Sequence, residues 1–161
     1  NTRVGAGPMP TELFGDTATL LREGGPRPEY GSTTGRPRRC GWFDGVAARY
    51  SARINGLTAA VLTRLDVLDQ FDSIKVCTAY LVNGRRIQTM PASSRAMAQA
   101  EPVYEELRGW RSETAGCRRW DDLPGEAQAY VRFIQEILGT EINIVSVGPE
   151  RDQAIKVKGV L

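Results

Sequence analysis

The chain contains no histidine, so any chemistry it supports runs without an imidazole base or an imidazole metal ligand. It has only three cysteines, Cys40, Cys77 and Cys117, odd in number and far apart. That spacing excludes paired zinc knuckles and argues against a disulfide framework, which leaves buried reduced thiols as the expectation. Long apolar runs are missing as well: Ile142 to Val147 falls far short of the roughly 20 residues a membrane helix needs. No charged-then-apolar signal segment opens the sequence, so a cytoplasmic location is expected. A net charge of +2 names no nucleic-acid or membrane partner, and the dense basic run Arg36 to Arg39 is interrupted by Pro37.

What is present is an ordinary globular composition, 41% hydrophobic and 25% charged over 161 residues, enough for one domain with its own core. The opening Val4-Gly5-Ala6-Gly7-Pro8-Met9-Pro10 reads as a loop, with a short helix beginning at Thr11-Glu12-Leu13. Residues 24–39 hold four glycines and three prolines with almost no apolar residue, which marks a long functional loop. Apolar residues from Trp42 to Ile54 recur at helical steps, and Asp44 suits that helix's N-terminus. Ala60 to Leu68 reads as a buried strand. Ile74 to Val82 and Arg86 to Met90 form a hairpin through Asn83-Gly84. Val103 to Trp110 is read as a short helix and Gly125 to Leu138 as a longer one stopped by Gly139. Ile142 to Val147 and Ala154 to Val160 complete the pattern as strands. Helices alternating with strands predict an α/β fold, a mixed and mainly parallel sheet flanked by helices.

Three loops carry polar groups suited to ligands, and in α/β sheets ligands bind beyond the strand ends. Ser32-Thr33-Thr34-Gly35-Arg36-Pro37-Arg38 combines hydroxyls, an approachable backbone and two guanidinium groups, a cradle for a carboxylate or phosphate. A solvated basic loop is an equal reading of those residues alone. In Thr63-Arg64-Leu65-Asp66 the carboxylate can accept both the N1 and N2 hydrogens of guanine, with Arg64 stacked on the ring. A loop-capping aspartate fits the same residues. Ser146-Val147-Gly148-Pro149 offers backbone groups to a base pocket, or is simply a turn.

Taken in order, Val4 to Pro8 with Pro10-Thr11-Glu12-Leu13, Thr33 to Arg39 with Gly41-Trp42, Leu62 to Asp69, Pro102-Val103-Tyr104-Glu105 with Gly109-Trp110, and Ser146 to Pro149 resemble adenylosuccinate synthetase. The resemblance implies the C-terminal portion of that family's P-loop-like fold, residues 1–161 as one unit. It also implies a homodimeric ligase that joins IMP and L-aspartate at the cost of GTP, with Mg²⁺. By resemblance, Ser32, Thr33, Thr34, Gly35, Arg36, Pro37 and Arg38 surround aspartate. Val4 and Arg36 meet IMP, and Arg38, Arg64, Leu65, Asp66, Ser146, Val147 and Gly148 meet GTP. Arg64 stands where the family usually has lysine. The Gly-Asp-Glu-Gly-Lys-Gly phosphate loop, the metal ligands and the catalytic groups belong to an N-terminal half that these residues do not include, so the isolated chain is expected to be inactive. A stand-alone, non-catalytic purine-nucleotide or anion-binding module is the alternative.

Overall fold

The computed structural model describes residues 1–157. Its elements are β1 (Thr2–Arg3), α1 (Gly15–Glu23), β2 (Arg39–Cys40), β3 (Phe43–Asp44), α2 (Gly45–Ile54), β4 (Ala59–Leu62), β5 (Ser73–Val82), β6 (Arg85–Ile87), α3 (Ser94–Ala98), β7 (Glu101–Arg108), α4 (Gly125–Leu138), β8 (Glu141–Ser146) and β9 (Ala154–Lys156). Short 3-10 turns at Leu65–Leu68, Trp120–Asp122 and Arg151–Gln153 link them.

Long β5 organises one sheet. It pairs parallel with β3, and antiparallel with β6 and with β7. The β5-to-β6 turn follows from sequence, since Asn83 and Gly84 both take positive φ, 51° and 75°, as a tight hairpin requires. In the second sheet, β8 lies between parallel β4 and antiparallel β9. A third, two-stranded pairing joins β1 to β2. The described sheets are therefore mixed and flanked by helices, with parallel pairing confined to β3 with β5 and β4 with β8.

Helix α4 ties the two larger sheets together. Its Ala127, Tyr130, Val131 and Ile134 are buried, and they join a single core with Ile74, Val76, Ile142, Val145 and Ile155. Gly139 ends it with φ 63°, its N–H donating to the carbonyls of Gln135 and Glu136. Asp44 caps α2 by accepting from the Ala47 N–H at 3.0 Å, and its other oxygen accepts from the buried Tyr80 hydroxyl at 2.6 Å. Burial and that bond push the Tyr80 phenol well above its ordinary range. Cys40 and Cys77 are buried free thiols and Cys117 is a partly exposed one.

Several sequence expectations are corrected. The stretch 103–110 is not a helix but most of β7, because its backbone pairs along β5 from Ser73–Arg108 to Leu81–Glu101. Val103, Tyr104 and Leu107 share a helical spacing, yet the long cross-strand ladder outweighs it. The stretch 60–68 divides into β4 and a 3-10 turn, because Arg64 turns the chain in the left-handed region at φ 61°. Phe43–Asp44 is extended rather than helical, and Glu12 forms an isolated bridge with Gly41, so the first helix begins at Gly15. Helix α3 was not anticipated, and of the expected strand 154–160 the part beyond 157 lies outside the described residues.

Gly109 fixes where β7 passes Phe71. A Cβ there would stand 1.9 Å from the Phe71 carbonyl oxygen, whereas one on Gly116 would meet nothing within 4 Å. Gly109→Ala is expected to lower stability by about 1–3 kcal/mol or more, while Gly116→Ala changes it by less than about 0.5 kcal/mol. Urea unfolding of the two variants checks the contrast.

Candidate ligand-binding site

The loop after α1 closes on itself. The Glu29 N–H donates to the Arg22 carbonyl and the Arg38 N–H to the Glu29 carbonyl, both at 2.9 Å. Farther out, the Gly31 N–H reaches the Arg36 carbonyl at 2.8 Å, and Tyr30 bridges Pro37. This leaves Ser32, Thr33, Thr34, Gly35, Arg36 and Pro37 as an exposed tip. Gly35 supplies the turn at φ 63°. Within the tip the Arg36 N–H lies 3.4 Å from the Thr34 hydroxyl oxygen.

At the base of the loop lies a buried charge. Glu29 is 7% exposed, and its carboxylate accepts from Arg38 Nη1 at 2.8 Å and from Arg64 Nη1 at 2.5 Å. Arg64 also donates to the carbonyls of Arg27 at 2.8 Å and Gly24 at 3.1 Å. The Nε of Arg38 is buried with no partner among the described residues. One carboxylate thus holds Arg38, next to the flap's end, and the arginine of the expected guanine segment.

Asp66 sits one turn beyond. Its Oδ1 is buried and has no partner among the described residues, and a Cβ on Gly25 would come within 2.7 Å of its Oδ2, so the start of the same loop lies directly over this carboxylate. Burial raises the Asp66 pKa from its ordinary 3.8, an effect only partly opposed by Arg64. Parallel pairing of β4 and β8 puts their C-terminal ends side by side, and there the Arg64 N–H donates to Ser146 Oγ at 3.1 Å. Leu65 and Val147 are buried in the core at 1% and 0% exposure, so they present backbone rather than side chains. Gly148 leaves room for the Gln153 side chain, 2.2 Å from where a Cβ would stand.

Val4 is exposed and follows β1, whose residues pair with Arg39 and Cys40 at the end of the flap. Arg39 pins the adjoining loop through the carbonyls of Gly5 at 3.3 Å and Gly7 at 2.7 Å, and pairs with Glu12. A cavity of about 370 Å³ lies against this junction, lined by Glu29, Cys40, Trp42, Leu62, Arg64 and Leu65 among others. Asp66, Ser146 and the flap tip do not line it.

Arg38, Arg64, Asp66 and Ser146 are therefore brought together, Val4 is tied to the flap's base, and the tip residues 32–37 stand apart in solvent. Sequence reasoning missed Glu29, although it is the only acid in the basic stretch 24–39. It also missed Asp69, whose carboxylate accepts from Trp110 Nε1 at 2.7 Å, from the Thr114 N–H at 2.7 Å and from the Thr114 hydroxyl, anchoring the turn that carries Asp66.

The family profile described as adenylosuccinate synthetase matches residues 1–155. The chain belongs to the adenylosuccinate synthetase family. It is 53% identical over 157 residues to the adenylosuccinate synthetase of Trichlorobacter lovleyi, covering 98% of this chain and 36% of that protein. Identity to the Carboxydothermus hydrogenoformans synthetase is 54% over 154 residues, covering 96% of this chain and 36% of that protein. The structure of the fully ligated adenylosuccinate synthetase from Plasmodium falciparum superposes with a TM-score of 0.92 at 39% identity, over 98% of this chain and 38% of the other. The chain thus spans just over a third of the length of these synthetases.

Because burial penalises the charged form of Asp66, its carboxylate costs the fold stability above its raised pKa, and that cost vanishes as the group protonates at lower pH. Asp66→Asn is expected to raise the Tm by a few degrees at pH 7 without nucleotide. The gain should shrink as the pH falls through the raised pKa toward 3.8. Thermal melts across that range check both the sign and the window.

Proposed function

We propose that this segment forms the guanine, aspartate and IMP-ribose side of a synthetase that joins IMP and L-aspartate to adenylosuccinate with GTP. The unpartnered, buried Oδ1 of Asp66 carries the reading. A buried carboxylate oxygen without a donor is costly, and guanine's N1–H and N2–H₂ supply two donors in the geometry a carboxylate accepts. Adenine has no matching pair, so the same oxygens select the base. Gly25 lies over the carboxylate, so base entry requires the Gly24-Gly25 backbone to shift, and glycine offers no side chain to resist. Arg64 meets the base from one side, with the backbone of Leu65, Ser146, Val147 and Gly148 bounding the other.

The anion side follows from the flap. Thr33 and Thr34 hydroxyls, the Gly35 backbone and the Arg36 guanidinium form an exposed donor set with which Ser32 and Pro37 complete a turn around aspartate's carboxylates. Arg38, fixed at the base, reaches aspartate and nucleotide. Val4 and Arg36 meet the IMP ribose. In the reaction so assigned, O6 of IMP takes a phosphoryl group from GTP, and the aspartate amine displaces that phosphate. These residues bind and orient; they move no proton.

Magnesium, when bound in the whole enzyme, neutralises phosphate charge during transfer. Among the described residues no group of three or more Cys, Asp or Glu is placed to hold a metal. The metal and the phosphate loop are assigned to the portion of the relatives beyond this segment. Residues 1–161 act as one unit of a cytoplasmic homodimer in this reading.

In the full-length synthetase carrying this segment, Asp66→Ala is expected to weaken GDP binding about 10- to 150-fold, the loss of charge-assisted hydrogen bonds, and to leave weak ADP binding unchanged. Equal GDP and ADP affinity in the parent protein, measured by titration calorimetry, would sink the guanine assignment. The purified 161-residue chain is expected to form no adenylosuccinate from IMP, aspartate and GTP. A chromatographic assay that found the product would overturn this division of labour.

A further inference from the structure

We infer that Glu29 is a positioning residue for two substrates at once, its single carboxylate holding Arg38 for the anionic amino acid and Arg64 for the guanine base. The inference rests on the reading above, which gives those arginines their ligands. Glu29 itself touches neither ligand there.

Three observations carry it. The Glu29 side chain is 9% exposed, against 36% for Arg38 and 31% for Arg64, so the shared anion is largely buried while both cations reach the surface. Each arginine takes one carboxylate oxygen, Arg38 bonding Oε2 and Arg64 bonding Oε1, so neither can leave without stranding half of a buried charge. Both guanidinium groups keep further donors: Arg38 Nε is buried and unpartnered, and Arg64 Nη2 is spent only on the Gly24 carbonyl.

Backbone bonds make the arrangement rigid from the other side. The Glu29 N–H is held by α1 and its carbonyl by the Arg38 N–H, so the carboxylate cannot follow one arginine at the other's expense. Without the charge, two guanidinium groups would face each other across the gap with nothing between them, and both would swing outward. The defect would therefore appear in both the amino-acid subsite and the base subsite.

The test uses the full-length synthetase carrying this segment. Glu29→Gln is expected to raise the KM for aspartate and the KM for GTP together, each about tenfold, the loss of one charge-assisted hydrogen bond per arginine. The KM for IMP and kcat should stay within about threefold. Arg64→Ala should raise the KM for GTP alone, and adding Glu29→Gln to it should raise that value by clearly less than Glu29→Gln does in the parent enzyme, because only the route through Arg38 to the nucleotide is then left. A folded Glu29→Gln enzyme with a lowered Tm but unchanged KM values, or with only one of the two KM values raised, overturns the inference. If Glu29→Gln does not fold, Glu29→Asp serves instead, since its shorter stem cannot span both arginines. A joint rise in the two KM values supports the inference, and unchanged values overturn it. Asp66→Ala run in parallel separates the failures. No change in its KM for GTP sinks the guanine reading, whereas a large change there with a silent Glu29→Gln sinks only the role of Glu29.

Discussion

A largely buried carboxylate must be answered by positive charge, and the one at Glu29 is answered twice. That requirement explains how a stretch of sixteen Gly-, Pro- and Arg-rich residues, 24–39, keeps a defined path without apolar residues to bury. Its two ends meet at Glu29, its start is laid over Asp66, and only its tip is left free of the body of the protein. A loop anchored this way sets an exposed tip beside a fixed charged base.

The opposite wall depends on sheet direction. Because β4 and β8 run parallel, their C-terminal ends emerge together, and residues 82 apart in sequence, Arg64 and Ser146, share a hydrogen bond. The left-handed backbone at Arg64 then turns the chain so that Leu65 enters the core while Asp66 stays at the margin, half-shielded. Non-glycine residues adopt that conformation at some cost. Here the bonds of Arg64 to the Gly24 and Arg27 carbonyls, to Glu29 and to Ser146 offset it. Asp69, bonded to Trp110 and Thr114, fixes the far end of the same turn, so the exposed face of Asp66 is set from both sides.

Much of this architecture is legible in the residues, where local and global preferences agree. Helix α4 begins and ends where its apolar stripe and Gly139 place it, and Asn83-Gly84 turns β5 into β6. Tertiary pairing hid the rest. Val103, Tyr104 and Leu107 carry a helical period, but the ladder to β5 makes them strand, and a buried run through 60–68 conceals the turn at Arg64. Resemblance singled out residues 32–38 and 64–66 as candidate contacts, whereas Glu29, the group that joins the two stretches, has no motif of its own. Its only signal is its isolation as an acid among arginines, and what that isolation means depends on a contact with Arg64, 35 residues away.

The proposed convergence of aspartate loop and guanine contact is tested most directly by a crystal structure of the full-length synthetase carrying this segment, bound to GDP and aspartate. The expected result has guanine N1 and N2 within about 2.7–3.1 Å of the Asp66 carboxylate, an aspartate carboxylate on the flap, and Glu29 still between Arg38 and Arg64. Guanine bound away from Asp66, or aspartate bound in a cleft that shares no wall with the guanine turn, would contradict it.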